Sequence, residues 1–250
     1  MNTDRRFTQT QKRYAADDLE TMSEAIRYQA HVFGLVAPYL GSHVLEVGCG
    51  IGTMSRQILA QNERLRLVCI EPNLNCAARA REQFARDARV SIRAVHLEDC
   101  SVAELQREQF DTVVCVNVLE HIEHDVRALT LFREVVAGTG GKVVIFVPAI
   151  QGIYGPHDAA LGHHRRYSKR SLTAAFKAAG LVTESIRYTN PIGLLGWMYN
   201  LYVSGNTEHT SGQVRLFDRL VAPWALPLER VVTPPIGLSL FAVGRARTAT

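Results

Sequence analysis

Three glycines and two carboxylates carry the first chemistry legible in this chain. The run Val44-Leu-Glu-Val-Gly-Cys-Gly-Ile-Gly52 places glycines at alternate positions after an apolar, strand-like stretch. Glycine in such a turn permits positive φ and lets a ligand approach the backbone closely. A helix beginning after Gly52 turns its free N–H groups into the same crevice. The dinucleotide fingerprint is GxGxxG, whereas the spacing here is GxGxG, followed by Thr53 and Met54. That spacing disfavours a nicotinamide-dependent reductase. Glu46 stands two positions before the first glycine, which suits a ligand carrying an ammonium group better than a diphosphate. Glu71 follows nineteen residues after Gly52, at the end of a second strand-like run. A carboxylate there can accept both hydroxyl protons of a ribose.

A second set of reactive side chains lies in residues 149–170: His157, Asp158, His163, His164, Arg165, Arg166 and Tyr167. Histidine can take a proton from a hydroxyl nucleophile, and an arginine fork can hold a carboxylate. His163, Arg166 and His157 are therefore the candidate catalytic residues. The competing account is that Asp158 pairs with the arginines and only orders the loop. No HxxxH pattern and no acidic cluster at a strand end point to a metal. The five cysteines, Cys49, Cys69, Cys76, Cys100 and Cys115, form no CxxC pair. This usage suggests a reduced, cytoplasmic protein without disulfides.

The elements that must position these residues alternate. Apolar runs at 43–47, 66–70, 90–96, 111–116, 142–147, 181–188 and 238–244 read as strands, and 111–116 is apolar from Val113 on, as in a strand buried on both faces. Helical spacing covers 17–39, 53–61, 74–86, 125–137 and 171–179. Alternation of this kind predicts an α/β fold with a largely parallel sheet. Residues 149–170 read as a long loop. Residues 190–237 break the pattern, with an apolar segment 191–203, a polar break 204–212 and a proline-dotted stretch 223–235. Trp197, Met198, Tyr199 and Tyr202 in the apolar segment could wall a substrate site, pack an appended lobe or form a homodimer interface. One domain is expected over 1–250: an N-terminal helical segment (1–40), a ligand-binding core (41–189), a substrate-side insertion or lid (190–237) and a last strand with its tail (238–250).

Hydrophobic residues make up 47% and charged residues 21%, which excludes a largely disordered chain. No run reaches the ~18 apolar residues of a membrane span, and the N-terminus lacks the apolar core of a signal peptide. A net charge of +4 from scattered arginines gives little reason to expect nucleic acid.

Taken in order, VLEVGCGIGTMS, VCIEPN, FDTVVCVNVLEHIEHD and GGKVVIFVPA resemble the successive motifs of the class I S-adenosylmethionine (SAM)-dependent methyltransferases. The likeness runs from about Tyr28 to Arg245. It continues through YGPHDAALGHHRRYS, LTAAFKAAGL, NPIGLLGW and PPIGLSLFAVGRA, which resemble a small-molecule subgroup with a GHHRRYS loop. The resemblance implies a Rossmann-like, seven-stranded sandwich with its last strand antiparallel and an insertion before it. It implies SAM as cofactor and S-adenosylhomocysteine as product. Glu46, Gly48, Cys49, Gly50 and Gly52 would surround the methionine part, and Glu71 with Pro72 the ribose. Asn117 and Val118 would lie near the methionine and sulfur, and Tyr28 would reach the carboxylate. The family's adenine-binding aspartate aligns with His96, leaving Glu98 or Asp99 for that contact. The implied activity is methyl transfer to a small organic acceptor, at the oxygen of a hydroxyl or carboxylate in natural-product metabolism. Nitrogen, sulfur and carbon acceptors, or a non-catalytic SAM-binding protein, are the alternatives.

Overall fold

The computed structural model describes residues 24–199 and 217–246. Expectations for the N-terminal 23 residues and for the polar break at 204–212 lie outside the described residues, as do the side chains of Met198, Tyr199 and Tyr202. Seven strands form one sheet: β1 (His43–Val47), β2 (Arg66–Ile70), β3 (Val90–Arg93), β4 (Thr112–Val116), β5 (Lys142–Pro148), β6 (Leu181–Thr189) and β7 (Ser239–Ala246). Their order is β3-β2-β1-β4-β5-β7-β6. All neighbours are parallel except β7, which runs antiparallel to both β5 and β6. The helices are α1 (Ile26–Val36), α2 (Thr53–Leu59), α3 (Leu74–Gln83), α4 (Val102–Arg107), α5 (Asp125–Val136), α6 (Pro156–Ala160), α7 (Lys169–Ala178), α8 (Pro191–Tyr199) and α9 (Ala222–Val231). This is the Rossmann-like methyltransferase fold that the sequence led us to expect.

Period-two alternation divides the core into two layers. Leu45, Val113, Cys115, Val143 and Ile145 face Leu129, Phe132 and Val136 of α5 and Phe176 of α7. Val44, Leu67, Cys69, Val114 and Phe146 face Val32 and Val36 of α1 and Ile58 of α2. Strand order reverses between β1 and β4, and open α/β sheets bind ligands at the carboxyl ends beside such a switch point.

Two expectations need correction. Residues 94–96 are not part of β3, which ends at Arg93. Residues 149–170 are not a structureless loop. They contain a 3-10 turn at Gln151–Ile153 and α6, and Ala149 bridges Tyr167 in parallel. The sequence also hid α4, whose six residues bury only Leu105, too little periodicity to register; Ser101 caps it by accepting from the Glu104 N–H.

Candidate functional site

The carboxyl ends of β1 and β2 meet at the glycine turn. Gly48, Gly50 and Gly52 all have positive φ, at 75°, 55° and 89°. A side chain at Gly48 would run into Val118, so the turn and the segment after β4 touch only because a Cβ is missing. Glu71 spans the gap between the two strand ends. Its Oε2 accepts the Gly50 N–H at 2.8 Å and its Oε1 the Asn73 N–H at 2.9 Å. Burial raises the Glu71 pKa, opposed by the bonds from Asn73 and Gly50 and by the nearby His96. Both oxygens keep lone pairs for hydroxyl donors. Asn117 adopts φ 53°, uncommon outside glycine, and its N–H is held by the Phe146 carbonyl at 2.8 Å. Such conformations tend to gather at ligand sites.

The structure thus brings Gly48, Gly50, Glu71 and Val118 together, with Cys49 buried in the turn. Pro72 is exposed, and Glu98 and Asp99 are exposed on a 3-10 turn after β3. Two expected residues are engaged elsewhere. The Tyr28 phenol bonds Ser239 and Asn190, at the β7–β6 end of the sheet. Glu46 is buried under the first turn of α2, where it accepts from the Ser55 hydroxyl at 2.5 Å and from the Cys69 thiol at 3.5 Å.

Burial pushes the Glu46 carboxyl up to about 7, outweighing the lowering effect of Ser55 and Cys69, while Glu71 adds repulsion. Between its ordinary value and about 7 the folded state keeps a proton that the unfolded chain has released. Stability therefore falls as pH rises through that window. At about 1.4 kcal/mol per unit this is worth roughly 3 kcal/mol. Glu46→Gln should remove that contribution. The stability gap between wild type and variant, followed by denaturant unfolding from about pH 4 to pH 8, should change by that amount; a constant gap would show that Glu46 titrates alike in the folded and unfolded chain.

Across the crevice, the segment after β5 is pinned to the segment after β4. Arg165 pairs with Asp125 at 3.1 Å and donates to the carbonyls of Ile122 and Glu123. The buried Tyr167 donates its hydroxyl to Asp125 at 2.8 Å. The His164 N–H donates to the Glu120 carbonyl at 2.8 Å. At the centre Asp158, fully buried, receives Arg166 Nε at 2.8 Å, His163 Nδ1 at 2.9 Å and the Gly155 N–H at 3.1 Å. Burial alone would raise the Asp158 pKa, but the bonds from His163 and Arg166 prevail and hold it below its ordinary value. The Arg166 guanidinium also lies 4.3 Å from the centroid of the Trp197 ring, and His157 meets the same ring edge-on at 5.1 Å.

Arg166 is thus buried within the protein's own ion pair, as the competing account of the loop held. His163 keeps only Nδ1 in that network. Glu120 and His121, which in the sequence read as a helix start or as part of the cofactor loop, lie on a 3-10 turn at Leu119–His121. In the fold Glu120 is buried, and burial pushes its carboxyl up to about 8. His121 lies edge-on to His163 with ring centroids 4.6 Å apart. No spacing within either segment could show that these two stretches meet.

Comparison with known proteins bears on the fold and on the class of domain. Residues 45–142 match a family model described as a methyltransferase domain. A ubiquinone biosynthesis O-methyltransferase of Xanthomonas euvesicatoria is 33% identical over 82 residues, 33% of each chain. One of Xanthomonas campestris is 25% identical over 181 residues, 67% of this chain and 73% of the relative. An uncharacterised Synechococcus protein is 33% identical over 117 residues, 45% of this chain. The chain spans 27% of the Synechococcus protein's length and 33% of that of the Xanthomonas euvesicatoria enzyme. Among solved structures, a putative methyltransferase in complex with the Haloferax volcanii activator Trm112 superposes with a TM-score of 0.63 at 15% identity, covering 96% of this chain and 99% of that one. The [4+2]-cyclase SpnF superposes at 0.56 with 16% identity, covering 87% of this chain and 80% of that one, so the fold by itself does not decide the reaction.

A methyltransferase domain of this fold implies SAM. The turn fits it: backbone is bared where side chains are missing, and Glu71 is aimed across the turn. Among the described residues no helix is long and apolar enough to cross a membrane.

Proposed function

We propose that this chain is a SAM-dependent methyltransferase acting on a small organic acceptor at oxygen, in the reduced cytoplasm and within natural-product metabolism. The observation that carries the reading is the pairing of a glycine turn braced by Glu71 with a facing wall built on the buried Asp158. SAM supplies a sulfonium methyl already activated for displacement. The protein's task is then to place a nucleophile in line with it. Gly48, Gly50 and Val118 shape the donor side, and Glu71 takes the ribose hydroxyls. His163, steered through Nδ1 by Asp158, presents Nε2 to the acceptor hydroxyl and eases loss of its proton. Arg166 positions Asp158 and His157 packs on Trp197, so neither is needed to hold the acceptor. The O-methyltransferase names of the Xanthomonas relatives support oxygen as the target.

The test is turnover: methyl-labelled SAM with a panel of phenols, catechols and hydroxy acids, read by mass spectrometry. Labelled product supports the reading. SAM binding without transfer to any hydroxyl or carboxylate acceptor favours a binding protein. Glu71→Ala should weaken SAM binding about 10- to 150-fold, since hydrogen bonds to a charged group are worth roughly 1.5–3 kcal/mol. Unchanged affinity by calorimetry would place the ribose elsewhere.

A further inference from the structure

Glu120, His121 and His163 come from two segments, one after β4 and one after β5, yet one ligand-capable atom from each lies within 4.8 Å of the others. Glu120 is 1% exposed, and its Oε2 has no hydrogen-bond partner among the described residues. A buried polar atom left unsatisfied calls for an explanation. His163 spends Nδ1 on Asp158 at 2.9 Å, which leaves Nε2 as its available donor atom. That carboxylate–imidazole bond is the arrangement that orients metal-ligating histidines. His121 is exposed, so the cluster opens to solvent on one side.

We propose that Glu120, His121 and His163 form a divalent-cation site on the acceptor side of the crevice. Two imidazoles and one carboxylate are a donor set of catalytic zinc sites, which keep a further position open. With Zn–N near 2.0–2.1 Å, tetrahedral ligand atoms sit roughly 3.3 Å apart, so side-chain rotations of about an ångström close the sphere. With the cation bound, Nε2 of His163 would act on the acceptor through the cation and not directly: the open position would take the acceptor's oxygen, and the cation would lower the pKa of that hydroxyl. The inference rests on the acceptor-side reading above for its purpose, but not for its ligands. It replaces the expectation, drawn from spacing alone, that no metal is bound.

The full-length chain, stripped with EDTA, is titrated with Co²⁺ and followed by visible d–d absorption, with Zn²⁺ as competitor. Wild type should take up one Co²⁺ that Zn²⁺ displaces. His121→Gln and Glu120→Gln should each weaken uptake at least about 10- to 100-fold, the cost of losing even an outer-shell partner. Thermal melts confirm that both variants are folded, and calorimetry with S-adenosylhomocysteine should give wild-type affinity for His121→Gln. If S-adenosylhomocysteine binds and Co²⁺ does not, the cation site is overturned while the functional reading stands. Uptake insensitive to both substitutions also overturns it. Co²⁺ uptake lost in both variants, in a chain that does not bind S-adenosylhomocysteine, upholds the site and removes the functional reading instead.

Discussion

Asp158→Ala is expected to lower the melting temperature by about 6–20 °C. The carboxylate is fully buried and holds Arg166, His163 and the Gly155 N–H together. Removing one partner of a buried ion pair costs roughly 3–5 kcal/mol, because the other charge stays behind without compensation. A protein of this size shifts roughly 2–4 °C per kcal/mol. The stranded group is Arg166, 5% exposed and stacked on Trp197, too enclosed to reach water without moving α8. The pairing, not the aspartate alone, is responsible, so Asp158→Ala with Arg166→Met should cost less than the sum of the single changes. Calorimetric melting of the four proteins in that cycle decides it. Additive losses would mean that Asp158 and Arg166 stabilise the loop independently. Because His163 takes its orientation from the same carboxylate, Asp158→Ala should also reduce turnover at temperatures where the chain is folded.

Gly48→Val should abolish measurable SAM binding, a loss on the order of 100-fold or more. The residue has φ 75°, where a β-branched side chain is strained by about 1–3 kcal/mol. Its side chain would also collide with Val118, and overpacking costs a further ~1–3 kcal/mol. The chain can relieve both by moving the turn away from the segment after β4, and that movement separates the two walls of the crevice. Every 1.4 kcal/mol lost from binding is tenfold in Kd. Adding Val118→Ala should restore part of the fold's stability by removing the collision but little of the binding, since the φ strain persists. A folded Gly48→Val chain with wild-type affinity by calorimetry would show that the glycine turn is not where SAM sits.

Much of this architecture was legible in the residues, because its signals are local. Apolar runs of β-branched residues identified all seven strands to within a few positions, and β4 announced its double burial by having no polar face. The alternate glycines foretold three positive φ angles, since that conformation is cheap for glycine. Glu71 could be assigned to a strand end from its spacing alone, and a strand end in a parallel sheet is also the ligand edge.

What sequence order could not supply was which side chains meet across that edge. Glu46, read as a ligand group, is taken by Ser55 and Cys69, because the pleat turns it under α2. Tyr28 is taken by Ser239 and Asn190, more than 150 positions later. The same holds for the acceptor wall. Asp158, His163 and Arg166 were visible as types, but only the parallel bridge of Ala149 to Tyr167 folds the segment back so that one carboxylate gathers both of the other side chains. Glu120 and His121 join them because the two segments leave neighbouring strands, β4 and β5, at the same edge of the sheet. Local preference selects strands, turns and helices; burial and pairing between distant segments decide which charges must find each other, and that cost is met only in the assembled fold.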